Sequence, residues 1–135
     1  MTSTKGIMIN KPFPIYVSCE VLTATYRQLL GPKTLLICDL NSNSRWDKED
    51  RWWSQTDVVN DLSALGLESI YHQITGEAQG HETKPTFFLQ RKKEKAYHID
   101  YAFASADLIG GLNLEVGDFD SWIGVSDHMP LQLNL

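Results

Sequence analysis

Cysteine is scarce in this 135-residue chain: the two present, Cys19 and Cys38, each lie inside an apolar, strand-like run. A disulfide framework is not supported, and two buried thiols are expected. Long apolar runs are missing as well, since no stretch reaches the roughly eighteen residues of a membrane-spanning helix. The first residues, Met1-Thr2-Ser3-Thr4-Lys5-Gly6, lead into no apolar segment of a secretory leader, so a cytoplasmic protein with no membrane span is expected. Positive charge is also in short supply. With 12 Lys and Arg against 17 Asp and Glu the formal net charge is -5, so no global attraction to a polyanion exists. Nucleic acid stays open as a partner only through a local patch. The basic cluster Arg91-Lys92-Lys93-Glu94-Lys95 lies between two strand-like runs and reads as a solvated hairpin turn. No two histidines have the spacing of a zinc-binding helix.

What is present fits one domain over residues 1–135, because 42% hydrophobic content is enough for a core at this length. Ile15, Val17, Cys19 and Val21 alternate with polar neighbours as in a half-buried strand. A short helix is expected over 23–30, stopped by Gly31-Pro32. Residues 34–38 form a continuous apolar run, the pattern of a strand covered on both faces, with Asp39 at its C-terminal end. In open α/β sheets ligands bind at that end. Residues 41–53 form a polar loop rich in Trp, in which Arg45, Trp46, Trp52 and Trp53 either stack on a base or sugar or cover the sheet edge. Ser54 and Asp57 resemble a capping box ahead of the stripe Val58, Leu62 and Leu65, and Gly66 closes that helix.

The spacing then predicts a strand over 68–74, a loop over 75–85 that carries His81, and a hairpin of two strands, 86–90 and 97–104, around the basic turn. Further strands are expected over 112–116 and 129–135. This order implies an α/β fold with a mixed β-sheet and flanking helices. Only two helices of moderate length are available, so one sheet face is expected to lack a cover.

Three strings stand at the ends of such runs: Cys38-Asp39-Leu40-Asn41, Tyr97-His98-Ile99-Asp100-Tyr101 and Ser126-Asp127-His128-Met129-Pro130-Leu131. Together, and in this order, they resemble the C-terminal half of the endonuclease/exonuclease/phosphatase superfamily, whose patterns are roughly G-D-[FL]-N, [HR]-[IL]-D-Y and S-D-H-x-P-[LIV]. Cys38 stands where the family usually has Gly. The likeness runs over 14–135 and implies about half of a DNase I-like α/β sandwich. The family's N-terminal motifs, an Asn on the first strand and a metal-binding Glu in a Gln-Glu pair, find no match, since 1–11 holds no such strand and Glu20 sits in Ser18-Cys19-Glu20-Val21.

The resemblance implies a metal-dependent phosphoesterase or endonuclease-like activity on phosphodiesters or phosphomonoesters. Asp39 would position or deprotonate the attacking water, and Asn41 would give its amide to a nonbridging oxygen. An extended backbone would put these two on one face. His128 would donate to the phosphate while Asp100 holds its imidazole. Asp127, with Asp39, would sit near Mg²⁺ or Mn²⁺, weakly held because the family's Glu has no match. Asn43, Arg45, Trp46 and His98 are candidate substrate contacts; for His98 a packed or exposed side chain is the alternative. The domain is expected to be incomplete alone, active with residues supplied by another chain or weakly by itself, and a homodimer or a missing N-terminal half is expected to cover its bare face. The alternative is a noncatalytic remnant that acts as a binding module.

Overall fold

The computed structural model describes residues 5–9, 30–48 and 54–135, the first stretch as backbone only. The strand expected over 15–21, nearly all of the helix over 23–30, and Cys19, Glu20, Trp52 and Trp53 fall outside the described residues.

Strand β1 (Lys5–Ile9) runs parallel to β2 (Thr34–Asp39). In β2 the alternation is sharper than a doubly covered strand would give: Thr34, Leu36 and Cys38 are buried, whereas Leu35 and Ile37 are half-buried. Helix α1 (Gln55–Ala64) starts at a two-way cap. The Asp57 amide donates to Ser54 Oγ at 3.2 Å, and Asp57 Oδ2 accepts from the Ser54 amide at 2.8 Å. These bonds satisfy donors that the first helical turn leaves unpaired. Gly66, at φ +83°, turns the chain out of the helix, a conformation that costs glycine little.

Where one strand was expected over 68–74, the structure has β3 (Leu67–Ser69) followed at once by α2 (Ile70–Thr75). The helical turn puts Ile70 and Tyr71, both buried, against Ala102 and Ala104, and left-handed Gly76 terminates it. The expected hairpin is also corrected. Strand β4 (Phe87–Phe88) pairs with β5 (Ala96–Tyr97), but the chain then bends at His98-Ile99 and continues as β6 (Asp100–Ser105) in the main sheet. Strand β6 is antiparallel to both β2 and β3, giving the order β1-β2-β6-β3. Helix α3 (Ala106–Ile109), β7 (Asn113–Val116), α4 (Phe119–Trp122) and β8 (Leu131–Asn134) complete the chain, with β7 and β8 in a separate antiparallel ribbon.

Period two along β6 divides the core. Tyr101 and Phe103 face α1 with Leu36, Cys38, Val58 and Leu62, while Ala102 and Ala104 face the other way. Each large side chain removed from water contributes roughly 1.5–3 kcal/mol. The face expected to be bare is covered: Ile70, Tyr71, Leu108, Leu112, Leu114 and Leu133 lie on it, and Leu35 and Ile37 are half-buried beneath them. The helix count misled because short α2 and α3 and the β7–β8 ribbon supply the cover. Cys38 is a buried thiol. Among the described residues no helix is long and apolar enough to cross a membrane.

Candidate active site

Asp39 is the last residue of β2 and Asp100 the first of β6, and antiparallel pairing sets them directly opposite each other. The third group arrives from outside this sheet. The Phe88 amide donates to Asp127 O at 2.9 Å and the Met129 amide to Thr86 O at 2.7 Å, so Phe87 and His128 face each other across an isolated bridge. The Phe87 ring lies 4.7 Å from the imidazole, centroid to centroid. His128 Nδ1 is then 2.9 Å from Asp100 Oδ2, and its Nε2 is 3.9 Å from Asp39 Oδ2.

A ring nitrogen at that distance from a carboxylate carries the proton, so Nδ1–H donates to Asp100 and Nε2 is directed toward Asp39. Burial pulls the imidazole pKa down, but the hydrogen bond and charge of Asp100, with Asp39 and Asp127 behind them, lift it above the ordinary histidine value. For Asp100 burial is the largest effect and raises its pKa, with the His128 hydrogen bond working against it. Asp39 and His128 are each about one-third exposed, against 14% for the Asp100 side chain. The two outer groups can therefore meet a substrate while Asp100 stays behind.

The remaining candidates distribute differently. The extended backbone assumed between Asp39 and Asn41 is not found: Asn41 has φ +49°, its amide donates to Asp39 Oδ1 at 2.9 Å, and its side chain is exposed. An Asn tolerates this left-handed turn because its short polar side chain does. Among the described residues, the cluster able to offer ligand atoms within 4.8 Å of one another is Asp39, Asp100 and His128; Asp127 is not in it.

Asn43, Arg45, Trp46 and His98 do come together, as walls of an open hollow shared with Glu82, Pro85, Ala96 and Tyr97. Within it Asn43 is buried and its amide is committed: Nδ2 donates to His98 O at 2.9 Å and to Glu82, and Oδ1 accepts from the Arg45 amide at 3.0 Å. His98 is buried too, with Nδ1 donating to Lys84 O at 2.8 Å, and burial lowers its pKa. The outward-facing members are Arg45 and Trp46, the latter 5.4 Å from Tyr97 between ring centroids.

Two residues escaped the sequence reading. Glu82, its side chain 1% exposed, accepts from His72 Nε2, from the Gly80 amide and from Asn43, and so fastens the 80–85 loop to the Asn43 turn. Burial raises its pKa, yet these hydrogen bonds, His72 foremost, outweigh that and bring it to about 2. Thr86, fully buried, joins the segments that carry Asp100 and His128. No local pattern marks either; a lone acid between His81 and Thr83 or a Thr before two Phe residues is common.

No family model matches the chain, and no curated protein matches it by sequence. Solved structures do. The endonuclease domain of TRAS1, a telomere-specific non-LTR retrotransposon, matches at 22% identity and a TM-score of 0.62, covering 95% of this chain and 54% of that one. The 3'-5' exonuclease NExo from Neisseria meningitidis matches at 18% identity and a TM-score of 0.68, over 97% of this chain and 60% of its own. The Neisseria 3' phosphatase NExo bound to a product DNA hairpin gives 19% and 0.68. These likenesses establish the fold. The chain is a partial DNase I-like α/β sandwich and spans 54–60% of the length of the structures it resembles.

Proposed function

We propose that this chain is the acid–base half of a phosphoesterase that hydrolyses phosphodiesters or phosphomonoesters, with nucleic acid as the favoured substrate class. The observation that carries it is the convergence of Asp39 and Asp100, from two paired strands, with His128 from a separate segment. The similar structures, described as an endonuclease, an exonuclease and a phosphatase, support the same reading.

In this reading the protonated His128 donates from Nε2 to a phosphoryl oxygen, stabilising charge that grows in the transition state. Asp100 holds the ring through Nδ1 and favours the imidazolium. Asp39, one-third exposed beside Nε2, accepts a proton from the attacking water. Asn41 adds an exposed amide at the turn, and Arg45 and Trp46 hold the flanking part of the substrate, the indole by stacking and the guanidinium by charge.

A divalent ion, Mg²⁺ or Mn²⁺, belongs to the proposal, and the donor set fits one only loosely. Of the clustered groups, Asp100 and His128 are bonded to each other, which leaves Asp39 as the readily available carboxylate, with Asp127 outside the cluster. Such a set suits an ion that keeps most of its waters. When bound, the ion would neutralise phosphoryl charge and acidify water. The further acids would come from a complementary half of the fold or from a second copy of the chain, and the buried Cys38 thiol suits the reducing cytoplasm.

The test is hydrolysis of a generic phosphodiester by the purified chain, with and without Mg²⁺ or Mn²⁺, beside Asp39→Ala and His128→Ala. Slow, metal-dependent turnover lost in both variants supports the reading. Turnover that persists in both would overturn it.

A further inference from the structure

The bridge that brings His128 to the site also builds a row of rings. His128 and Phe87 face each other across one antiparallel pairing, and Phe87 and Tyr97 are direct partners across the next. Partners in an antiparallel ladder project to the same face. The imidazole, the phenyl ring and the phenol therefore form a line running across the strands. Phe87 is half-buried and Phe88 buried, so the line lies on the outward face of the β4–β5 ribbon. Ring centroids are 4.7 Å apart from His128 to Phe87 and 6.5 Å from Phe87 to Tyr97, and Trp46 continues the line 5.4 Å beyond Tyr97. Trp46 is 36% exposed and comes from another part of the chain, its amide donating to Asn43 O at 3.0 Å. At this end the row opens into the hollow, where Arg45 is exposed. Successive planes are tilted by 37°, 32° and 51°, so neighbouring rings are not stacked on one another.

We propose that this row receives single-stranded nucleic acid, with unpaired bases lying on Phe87, Tyr97 and Trp46 while the scissile phosphate faces His128. The proposal rests on the hydrolase reading and narrows its substrate class. Spacing disfavours a duplex, because successive bases on one strand of a double helix rise by about 3.4 Å, less than every step in the row. A paired strand cannot set one base on each ring, whereas an unstacked strand can. Charge points the same way. Proteins that grip duplex backbones do so with clustered cations, and this chain carries a net charge of -5, with Arg45 as the cation lining the hollow. Stacking on aromatic faces needs no such charge and tolerates any base. Unpaired substrate and weak sequence preference are both expected from rings held at roughly the 4.8 Å spacing of neighbouring strands or wider.

The experiment measures binding of a short fluorescein-labelled deoxyoligonucleotide without self-complementarity, alone and annealed to its complement, by fluorescence anisotropy in EDTA so that no hydrolysis intervenes. The unaltered chain should bind the single strand at least roughly tenfold more tightly than the duplex. Trp46→Leu keeps an apolar side chain but offers no ring face, and should weaken single-strand binding roughly five- to a hundredfold, the loss of one stacked base. Tyr97→Leu should do the same, whereas Trp46→Phe should hold most of the affinity. Equal affinity for the two forms overturns the proposal, as does absence of single-strand binding, and neither result depends on a variant folding. A Trp46→Leu chain that is folded by circular dichroism and binds the single strand as the unaltered chain does overturns it too. Turnover is read separately after Mg²⁺ is added. Single-strand preference without turnover leaves the ring row as a binding site and sinks only the hydrolase reading; turnover of a generic phosphodiester with equal binding of the two forms sinks only this proposal.

Discussion

Replacing Glu82 by glutamine should remove a buried charge that the folded chain stabilises. The carboxylate is 1% exposed and accepts from His72, Gly80 and Asn43, with a pKa of about 2 against an ordinary 4.5. At about 1.36 kcal/mol per pKa unit, that gap corresponds to roughly 3 kcal/mol of stability at neutral pH. Because the folded value is depressed, the contribution is fully present above pH 4.5 and disappears as pH falls through about 2. Only about half of it should be left at pH 3. Glutamine keeps one acceptor oxygen but turns an NH₂ toward groups that already donate. Urea denaturation followed by tryptophan fluorescence should show Glu82→Gln less stable by roughly 2–3 kcal/mol at pH 7, with the difference shrinking toward pH 3. Equal stability at pH 7, or a difference that does not change with acid, would refute the reasoning. Since Asn43 depends on this carboxylate, the variant should also loosen the turn that carries Arg45 and Trp46.

Loss of the His128 imidazole in His128→Ala should lower phosphodiester turnover by roughly 10²- to 10³-fold, read as kcat in a chromogenic assay; an unchanged kcat would remove His128 from the mechanism. The raised pKa of His128 also sets a pH dependence. Its contribution to stability is fully present below the unfolded value of about 6.5 and is lost as pH rises through the higher folded value. Turnover that needs the imidazolium should fall over the same range. In Asp100→Asn both decays should move to lower pH, and profiles that coincide with those of the unaltered chain would exclude Asp100 as the cause.

How far the sequence reached depended on whether a signal was local. The capping box at Ser54 and Asp57, the stop at Gly66 and the strand leading to Asp39 are written in adjacent residues, and all three are present in the structure. Asp39, Asp100 and His128 could be named because each ends a short motif. Register was not local. That residues 97–104 would divide at His98-Ile99 depends on Thr86 offering its hydroxyl to the bend, a contact thirteen residues back in the chain. Ile70-Tyr71 reads equally well as strand or helix, and its packing on Ala102 and Ala104 decided for helix. The extended picture of Asn41 failed for a related reason: the Asp39 carboxylate turns back to bond the Asn41 amide, which no alternation of side chains records.

The charge of the cluster itself restricts what it can bind. Two carboxylates beside one imidazolium leave a net negative site even with His128 protonated, and a phosphodiester brings a further negative charge to it. Asp39 lies 3.9 Å from His128 Nε2, on the side where the phosphoryl oxygen has to approach. In the proposed reading the Asp39–His128–Asp100 cluster thus supplies proton transfer without net positive charge of its own, consistent with a chain that spans 54–60% of the structures it resembles. A specific consequence follows for Asp39→Asn. Removing that charge should weaken repulsion and bind inorganic phosphate or a nonhydrolysable phosphodiester more tightly than the unaltered chain in the absence of divalent ions. At an effective dielectric of about 20 a charge pair near 4 Å is worth roughly 4 kcal/mol before screening, so even a strongly screened fraction should give a several-fold gain in affinity by calorimetry. The same variant should lose hydrolysis, because asparagine accepts no proton from water. Weaker phosphate binding by Asp39→Asn would show that Asp39 does not oppose the anion and would put the water-activating role in doubt.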